Sequence, residues 1–166
     1  MPHTQKKEAK KNGTAKTNDK QKAIDKKVDA KPTATAPKSA FSFVAADAHF
    51  VLLVMSNVDA VFVKESRLAF DQYNASKFYG QKIASDIYKY SADTSFILLG
   101  SFIDAGAAVD YVEKVRPQTP SAILSWIPAN KYQYTIISNA NLELLKTNRE
   151  LEAYINLIKQ TLIGKF

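Results

Sequence analysis

Cysteine is absent from this sequence, and histidine occurs only as His3 and His49. The lack of cysteine excludes disulfide bonds, thiolate metal sites, a cysteine nucleophile and a lipid-anchoring cysteine within the chain. No spacing of His, Asp and Glu is typical of a metal site or a catalytic triad. Asp104 and Asp110 share a predicted helix but do not converge, so paired-acid chemistry is not expected. The sequence therefore predicts a protein that is not an enzyme and uses no cofactor or metal.

Long apolar runs and glycine-rich loops are also missing. No run approaches the roughly 20 apolar residues that span a bilayer, so no transmembrane segment is predicted. Residues 1–11 are charged and no apolar stretch follows them, which is not typical of a secretory signal. An exported protein would need a signal that this chain does not contain. Gly100 and Gly106 are isolated, which argues against a phosphate-binding loop. Gly100 is interpreted as a strand bulge or a close backbone approach.

Charge is distributed unevenly along the chain. Residues 1–40 hold eleven lysines and four acidic residues, which accounts for the net charge of +7 of the whole chain. The remaining 126 residues carry equal numbers of acidic and basic side chains. Few large aliphatic side chains occur before residue 41, so residues 1–46 are predicted to form a disordered, lysine-rich tail or linker. Such a tail could instead bind nucleic acid or a membrane surface through nonspecific contacts.

Residues 47–166 are predicted to form one interaction domain of the α+β class. Four β-rich apolar runs are predicted strands: residues 49–55, 82–91, 95–102 and 132–138. Three stretches have helical signals: residues 60–79, 105–115 and about 148–162. The order β-α-β-β-α-β is the ferredoxin-like pattern, an antiparallel sheet with two helices on one face. An extra C-terminal helix follows it.

Cap and turn residues set the predicted boundaries of these elements. Asp59 and Asp104 are predicted N-caps of the first two helices, and Gly80 is the predicted stop of the first. Asn148 or Thr147 is the predicted N-cap of the terminal helix. Asp93 and Thr94 predict a tight hairpin turn. Residues 142–145, after the last strand, are interpreted as a single helical turn.

The strands at residues 49–55 and 95–102 are apolar at successive positions. A sheet with one wet face alternates between apolar and polar side chains, so the second face is predicted to be covered as well. The terminal helix offers an apolar side that suits this role: Leu151, Tyr154, Ile155, Ile158 and Leu162. The alternative is that the second face contacts another protein chain.

Tyrosines occur in pairs on two of the predicted strands, Tyr88 with Tyr90 and Tyr132 with Tyr134. Aromatic residues on a sheet can stack on RNA bases or on sugar rings, or they can pack beneath a helix with their hydroxyls reaching water. The strand at residues 95–102 lacks the basic-glycine-aromatic start of RNA readers, which favours packing. Tyr88 and Tyr90 are nevertheless the best candidates for an exposed, partner-binding pair. His49, interpreted as a strand-edge residue, is the third candidate.

Several stretches together resemble one family: residues 49–54 (HFVLLV), 70–74 (FDQYN), 97–102 (ILLGSF), 132–142 (YQYTIISNANL) and 151–154 (LEAY). The domain resembles the C-terminal domain of tetratricopeptide-repeat lipoproteins from the type IX secretion and gliding-motility machinery of Bacteroidetes (the SprE/PorW type). The likeness covers nearly all of residues 48–160 in order. A weaker likeness, at residues 98–102, is to SPOR domains, which share the β-α-β-β-α-β order and bind peptidoglycan glycan.

The resemblance implies a non-enzymatic binding or scaffold domain of the cell envelope. It implies a periplasmic location and a contact with an envelope protein partner or with peptidoglycan. No helical repeats precede the domain in this sequence, so the chain is either a fragment or a stand-alone relative. The alternative to the resemblance is a cytoplasmic, nucleic-acid-associated protein that binds through its lysine-rich tail.

Overall fold

A computed structural model describes residues 40–166 of the chain. This part contains four strands: β1 (His49–Ser56), β2 (Ser85–Lys89), β3 (Thr94–Phe102) and β4 (Tyr132–Ser138). It contains four α-helices: α1 (Ala60–Lys77), α2 (Ala105–Val115), α3 (Asn139–Asn148) and α4 (Leu151–Thr161). Between α2 and β4 the chain makes three short helical turns: Arg116–Gln118, Thr119–Ile123 and Ala129–Lys131. Across these residues no helix combines the length and the apolar character needed to cross a membrane.

The four strands form one antiparallel sheet in the order β2-β3-β1-β4. With α1 between β1 and β2, and α2 between β3 and β4, this is the ferredoxin-like arrangement. The predicted fold class is therefore confirmed. β1 and β3 lie inside the sheet, and β2 and β4 are its two edges.

The sheet has a hydrophobic core on each face. Alternate residues of β1 point to opposite faces. Val51 and Leu53 belong to a core shared with α1 and α2, whereas Leu52 and Val54 belong to a core shared with α3 and α4. We call the helices α1 and α2 the front layer and the helices α3 and α4 the back layer. The prediction that the second face is covered is confirmed, and the cover is the chain's own C-terminal helices.

The back layer contains more helix than the sequence predicted. Residues 142–145, interpreted as a single turn, lie within the ten-residue helix α3. Ser138 is its N-cap, since the Ser138 hydroxyl accepts a hydrogen bond of 3.3 Å from the backbone N–H of Asn141. The last residue of β4 therefore also starts the next helix, with no loop to mark the change. In α4, Tyr154 and Ile158 are fully buried, as expected for a covering helix.

The N-caps predicted for the first two helices are confirmed. The predicted cap of the terminal helix, Asn148 or Thr147, is wrong, because α4 begins after Glu150, and the predicted stop of the first helix is wrong as well. The Asp59 carboxylate accepts from the N–H of Val61 at 2.8 Å, and the Asp104 carboxylate accepts from the N–H of Ala107 at 2.8 Å. Helix α1 ends at Lys77 with Phe78 as its C-cap. Gly80 does not adopt the left-handed conformation of a terminating glycine.

A bulge interrupts β3, as the isolated Gly100 predicted. Val51 lies opposite Leu99 and His49 lies opposite Phe102, so β3 has one residue more than β1 over this stretch. Gly100 has a φ of +77°, in the left-handed region that favours glycine. A Cβ atom at Gly100 would come within 2.5 Å of the Phe102 ring. Gly100 is therefore needed both for its backbone conformation and for space.

The packed domain begins before the predicted boundary at Asp47. Phe41 is only 6% exposed and belongs to the back core. Its ring centroid lies 5.0 Å from that of Tyr154 in an edge-to-face contact. The predicted tail over residues 1–46 thus includes residues that pack on the domain, while residues 1–39 lie outside the described part. Strand β2 is also shorter than predicted, with five residues rather than ten.

Candidate functional site

Tyr90 and Tyr88 do not form the exposed pair that the sequence suggested. Tyr90 is 8% exposed and stacks on Phe96 with ring centroids 4.6 Å apart. The Arg149 guanidinium carbon lies 5.2 Å from the Tyr90 ring centroid, and the Lys146 ammonium lies 5.2 Å from that of Tyr88. Burial raises the pKa of Tyr90. The expectation of exposure is wrong because the C-terminal end of α3 covers both rings, and packing is the correct interpretation.

His49 is fully buried on the central strand β1 rather than at a sheet edge. Its Nδ1 atom lies 2.7 Å from the carbonyl oxygen of Asp47. A carbonyl only accepts, so this nitrogen carries the proton and donates. The Phe43 ring packs 5.6 Å from the imidazole, centroid to centroid. In this arrangement His49 presents no surface to a partner.

The second tyrosine pair, Tyr132 and Tyr134, packs beneath the front layer and not beneath α4. Tyr134 is buried, and its hydroxyl lies 2.6 Å from that of Thr119. Burial holds the pKa of Tyr134 well above its usual value. Tyr132 is half-buried at the margin of the same core. Tyr134 is therefore structural, and Tyr132 remains accessible on one side.

Tyr79, just after α1, is 91% exposed, and two further exposed aromatic rings share one groove. Phe62 is 50% exposed and Trp126 is 47% exposed. Both line a groove of about 250 Å³ beyond the end of β1. We call this the Trp126 groove. Its full lining is Asn57, Val58, Asp59, Phe62, Trp126, Ile127, Pro128 and Lys131.

Tight local structure holds the two rings in place. Asn57 turns the chain out of β1 with a φ of +53°, and its N–H donates to the Asp93 carbonyl at 2.7 Å. Asp59 then caps α1, which puts Phe62 on the first turn of that helix. Trp126 lies between Leu124 and Ile127, which are both buried. Because its neighbours anchor the loop, the indole is held outward at the protein surface.

A second groove, of about 330 Å³, runs beside the outer edge of the sheet. We call it the β4-edge groove. Its lining is Arg116, Pro120, Ala129, Tyr132, Gln133, Tyr134, Lys159 and Phe166. The turn Ala129–Lys131 borders both grooves, since Lys131 belongs to the first and Ala129 to the second. Two basic side chains and no acidic one line this second groove.

The sequence interpretation missed both grooves. Residues 122–127 are a short apolar stretch to which the sequence assigned no element, and three of the six are buried: Ile123, Leu124 and Ile127. The one signal for exposure was a lone tryptophan next to Ser125 and Pro128, in a stretch without helical or strand period. Within residues 40–166, no group of three or more His, Asp or Glu side chains could hold a metal ion.

Comparison of the chain with models of protein families, with curated proteins and with solved structures finds no match. The likeness to the C-terminal domain of type IX secretion and gliding lipoproteins therefore stays a prediction from the residues that carry it. The structure shows a sheet covered on both faces, and the Trp126 groove and the β4-edge groove lie at its rim.

Proposed function

We propose that this domain is a non-enzymatic binding module that holds a protein partner at the Trp126 groove. The observation that carries the proposal is the pair of half-exposed aromatic rings, Phe62 and Trp126, in one groove. Exposed aromatic area is unfavourable in water and favourable to bury. Tryptophan is among the residues most enriched at the energetic centres of protein interfaces.

The covered sheet supports a contact at the rim. Aromatic residues on an open sheet face would suit a flat ligand, but both faces here carry helices. A ligand that used the sheet would first have to displace α1 and α2 or α3 and α4. The grooves at the ends and edges of the sheet are reached without such a rearrangement.

The chemistry of the Trp126 groove favours a protein over a glycan. Most of its lining is apolar: Val58, Phe62, Trp126, Ile127 and Pro128. Three polar side chains, Asn57, Asp59 and Lys131, complete the lining, so the apolar residues outnumber the groups that could hydrogen-bond a sugar ring. One oxygen of Asp59 already accepts from the N–H of Val61. An apolar side chain of a protein partner fits this lining better.

The resemblance to type IX secretion and gliding lipoproteins supports an envelope protein as this partner. On that basis we place the domain in the periplasm, as a scaffold contact within the machinery. Peptidoglycan, and nucleic acid bound through the lysine-rich residues 1–40, are the competing ligands. The experiment below separates all three.

The test is a site-specific photocrosslink in the full chain. Phe62 is replaced by p-benzoylphenylalanine, and the control carries the same group at Tyr79, which is 91% exposed and lies outside the groove. We expect one discrete protein adduct from position 62 that position 79 does not give. Adducts at position 62 that contain only glycan or nucleic acid, or equal adducts from both positions, would overturn the proposal.

The partner from that adduct is then titrated against purified variants. Trp126→Ala is expected to weaken binding by about 2 kcal/mol or more, the usual loss at an interface centre, which is about a 30-fold rise in Kd. The matched control is Ile103→Ala, which removes an 81% exposed apolar side chain elsewhere. Equal Kd values for the wild type and Trp126→Ala would remove the groove from the interface.

A further inference from the structure

We infer that the outer edge of β4 is a docking strip for an extended, acidic segment of a partner protein, which adds to the sheet as a fifth strand. This goes beyond the proposed function, because it involves neither Phe62 nor Trp126. β4 pairs with β1 on one side, and no strand within residues 40–166 pairs with its other side.

The residues that line the β4-edge groove show that it runs beside the backbone of β4. Successive side chains of a strand point to opposite faces of the sheet. Tyr132, Gln133 and Tyr134 are consecutive, yet all three line this groove. Three consecutive residues can share one groove only where it runs along the edge, beside the main chain.

The backbone groups of Tyr132 and Tyr134 face this groove. The carbonyl of Ile136 accepts a hydrogen bond of 2.7 Å from the Tyr154 hydroxyl, so it points away from β1. In an antiparallel strand the direction of the N–H and C=O groups alternates from residue to residue. The backbone N–H and C=O groups of Tyr134 and Tyr132 therefore point outward as well. Within residues 40–166, no other strand pairs with them on that side. Such a row of unpaired groups is the template used in strand addition.

The two edges of this sheet differ in how they are protected. Edge strands usually carry charged residues, proline or a bulge that discourage pairing. β2 has Asp86 and Lys89, both exposed, within its five residues. β4 has no charged residue and no proline, and its register against β1 is continuous. The unprotected stretch of edge is thus Tyr132–Tyr134, beside the groove, because farther along β4 the Tyr154 hydroxyl already occupies the Ile136 carbonyl.

Charge selects the kind of segment that would bind. Arg116 and Lys159 line the groove, and no carboxylate does. Arg116 uses one nitrogen to bond the Lys165 carbonyl at 2.8 Å, which leaves its other donors available. The nearby Glu113 is paired with Lys165 at 2.5 Å. An extended segment with Asp or Glu side chains would complement the two cations.

The same charge argues against the two occupants that this chain could supply itself. Residues 1–40 carry eleven lysines, and these would be repelled by Arg116 and Lys159. In a symmetric dimer formed edge to edge, Arg116 and Lys159 of both copies would come together. Like charges placed across an interface are unfavourable.

The test is selection of random decapeptides on the full chain, followed by titration of the enriched peptides. We expect them to carry acidic residues at alternate positions. Lys159→Glu is expected to weaken the binding of these peptides at least tenfold. The control is Lys82→Glu, because Lys82 is exposed and lies outside the groove, and this variant is expected to bind the peptides as the wild type does. Binding is expected to slow hydrogen exchange at the amides of Tyr132 and Tyr134. Two peptides are then compared, one with backbone N-methylation at the odd residues and one with it at the even residues. Only the peptide whose methyl groups face β4 is expected to lose binding, because N–H groups alternate in direction along a strand.

Three results would overturn the inference. One is that no peptide is enriched more strongly on the wild-type chain than on the Lys159→Glu variant. Another is that enriched peptides are basic or neutral, or leave the Tyr132 and Tyr134 amides unprotected. The last is a concentration-dependent dimer that protects those amides without any peptide, which would make a second copy the occupant. None of these results bears on the Trp126 groove, so the two proposals fail separately.

Discussion

The front and back layers cover the same sheet but are attached to it differently. Each front helix lies between two strands in the chain, so the sheet holds both of its ends. The back helices follow the last strand, so the chain itself joins only the start of α3 to the sheet, at Ser138. Helix α4 reaches the sheet through the Tyr154 hydroxyl, which donates to the Ile136 carbonyl of β4. The attachment of the back layer therefore depends on side-chain contacts more than on connectivity.

Those contacts come from both ends of the described chain. At one end, Phe41 packs on Tyr154, and the Asn141 side-chain amide donates to the Ser42 carbonyl at 2.7 Å. At the other end, the Lys165 ammonium pairs with the Glu113 carboxylate of the front layer. The backbone carbonyl of Lys165 also accepts a hydrogen bond from the Arg116 guanidinium. A helical layer that follows the last strand is therefore held by side chains from distant parts of the chain, and the buried contact of Phe41 with Tyr154 contributes more than the exposed ion pair of Lys165.

The largest effect on the back layer is expected from the loss of its central side chain. Tyr154→Ala is expected to lower the free energy of unfolding by about 3–5 kcal/mol, because a large buried ring is lost. Phe70→Ala, at a fully buried front-layer position, is the matched control and should cost a similar amount. Urea unfolding curves give both values. A loss below about 0.5 kcal/mol for Tyr154→Ala, the size of a surface change, would show that the back layer is not part of the core.

The N-terminal contact can be tested with two truncations. Removing residues 1–40 keeps Phe41, and the melting temperature is expected to stay within error because the deleted stretch has few large apolar side chains. Removing residues 1–43 also deletes Phe41 and leaves the buried Asn141 amide without Ser42. We expect a further loss of about 3 kcal/mol. If the two truncated chains melt at the same temperature, Phe41 does not help to hold the back layer.

High pH should destabilise both layers through buried tyrosines. Burial raises the pKa of Tyr111 and Tyr134 in the front layer and of Tyr154 in the back layer above the ordinary value near 10. The folded state keeps these hydroxyls protonated, whereas the unfolded chain loses the protons above pH 10. The contribution of these tyrosines to the free energy of unfolding is therefore constant below pH 10. Above pH 10 the free energy of unfolding falls by up to about 1.4 kcal/mol per pH unit for each tyrosine.

Tyr154→Phe isolates the contribution of the back layer to this pH dependence. The slope of the free energy of unfolding against pH above 10 is expected to become less steep, since one of the buried hydroxyls whose pKa is raised is removed. Denaturant titrations at several alkaline pH values provide the slope. An unchanged slope would mean that the Tyr154 hydroxyl reaches solvent in the folded protein.

The smallest effect is expected at the C-terminal contact. Lys165→Ala removes the ion pair with Glu113, but both side chains are more than two-fifths exposed. Exposed pairs contribute little and are screened by salt. We expect the melting temperature to change within error at moderate ionic strength. A drop comparable with that of the longer truncation would show that this contact holds the back layer in place.

The elements that sequence predicted well are those with local signals. The strands were visible as apolar runs, and Asp59 and Asp104 marked helix starts because a cap depends on the next three residues. Helix α3 was missed because Ser138 serves as both strand end and N-cap. Tyr90 was misjudged because its cover, Arg149, comes from 59 residues away. The exposure of Trp126 depends on which neighbours the tertiary fold buries, and no local pattern encodes that.

Native-state hydrogen exchange tests most directly whether the back layer permanently covers the sheet and so directs partners to the rim. The amides of Leu145 in α3 and Ile158 in α4 are compared with that of Leu53 in β1. We predict one shared free energy of opening, equal to that of global unfolding, because the back layer belongs to one cooperative unit. If α3 and α4 exchange through a far less costly opening while β1 stays protected, the sheet face is accessible and the account is contradicted.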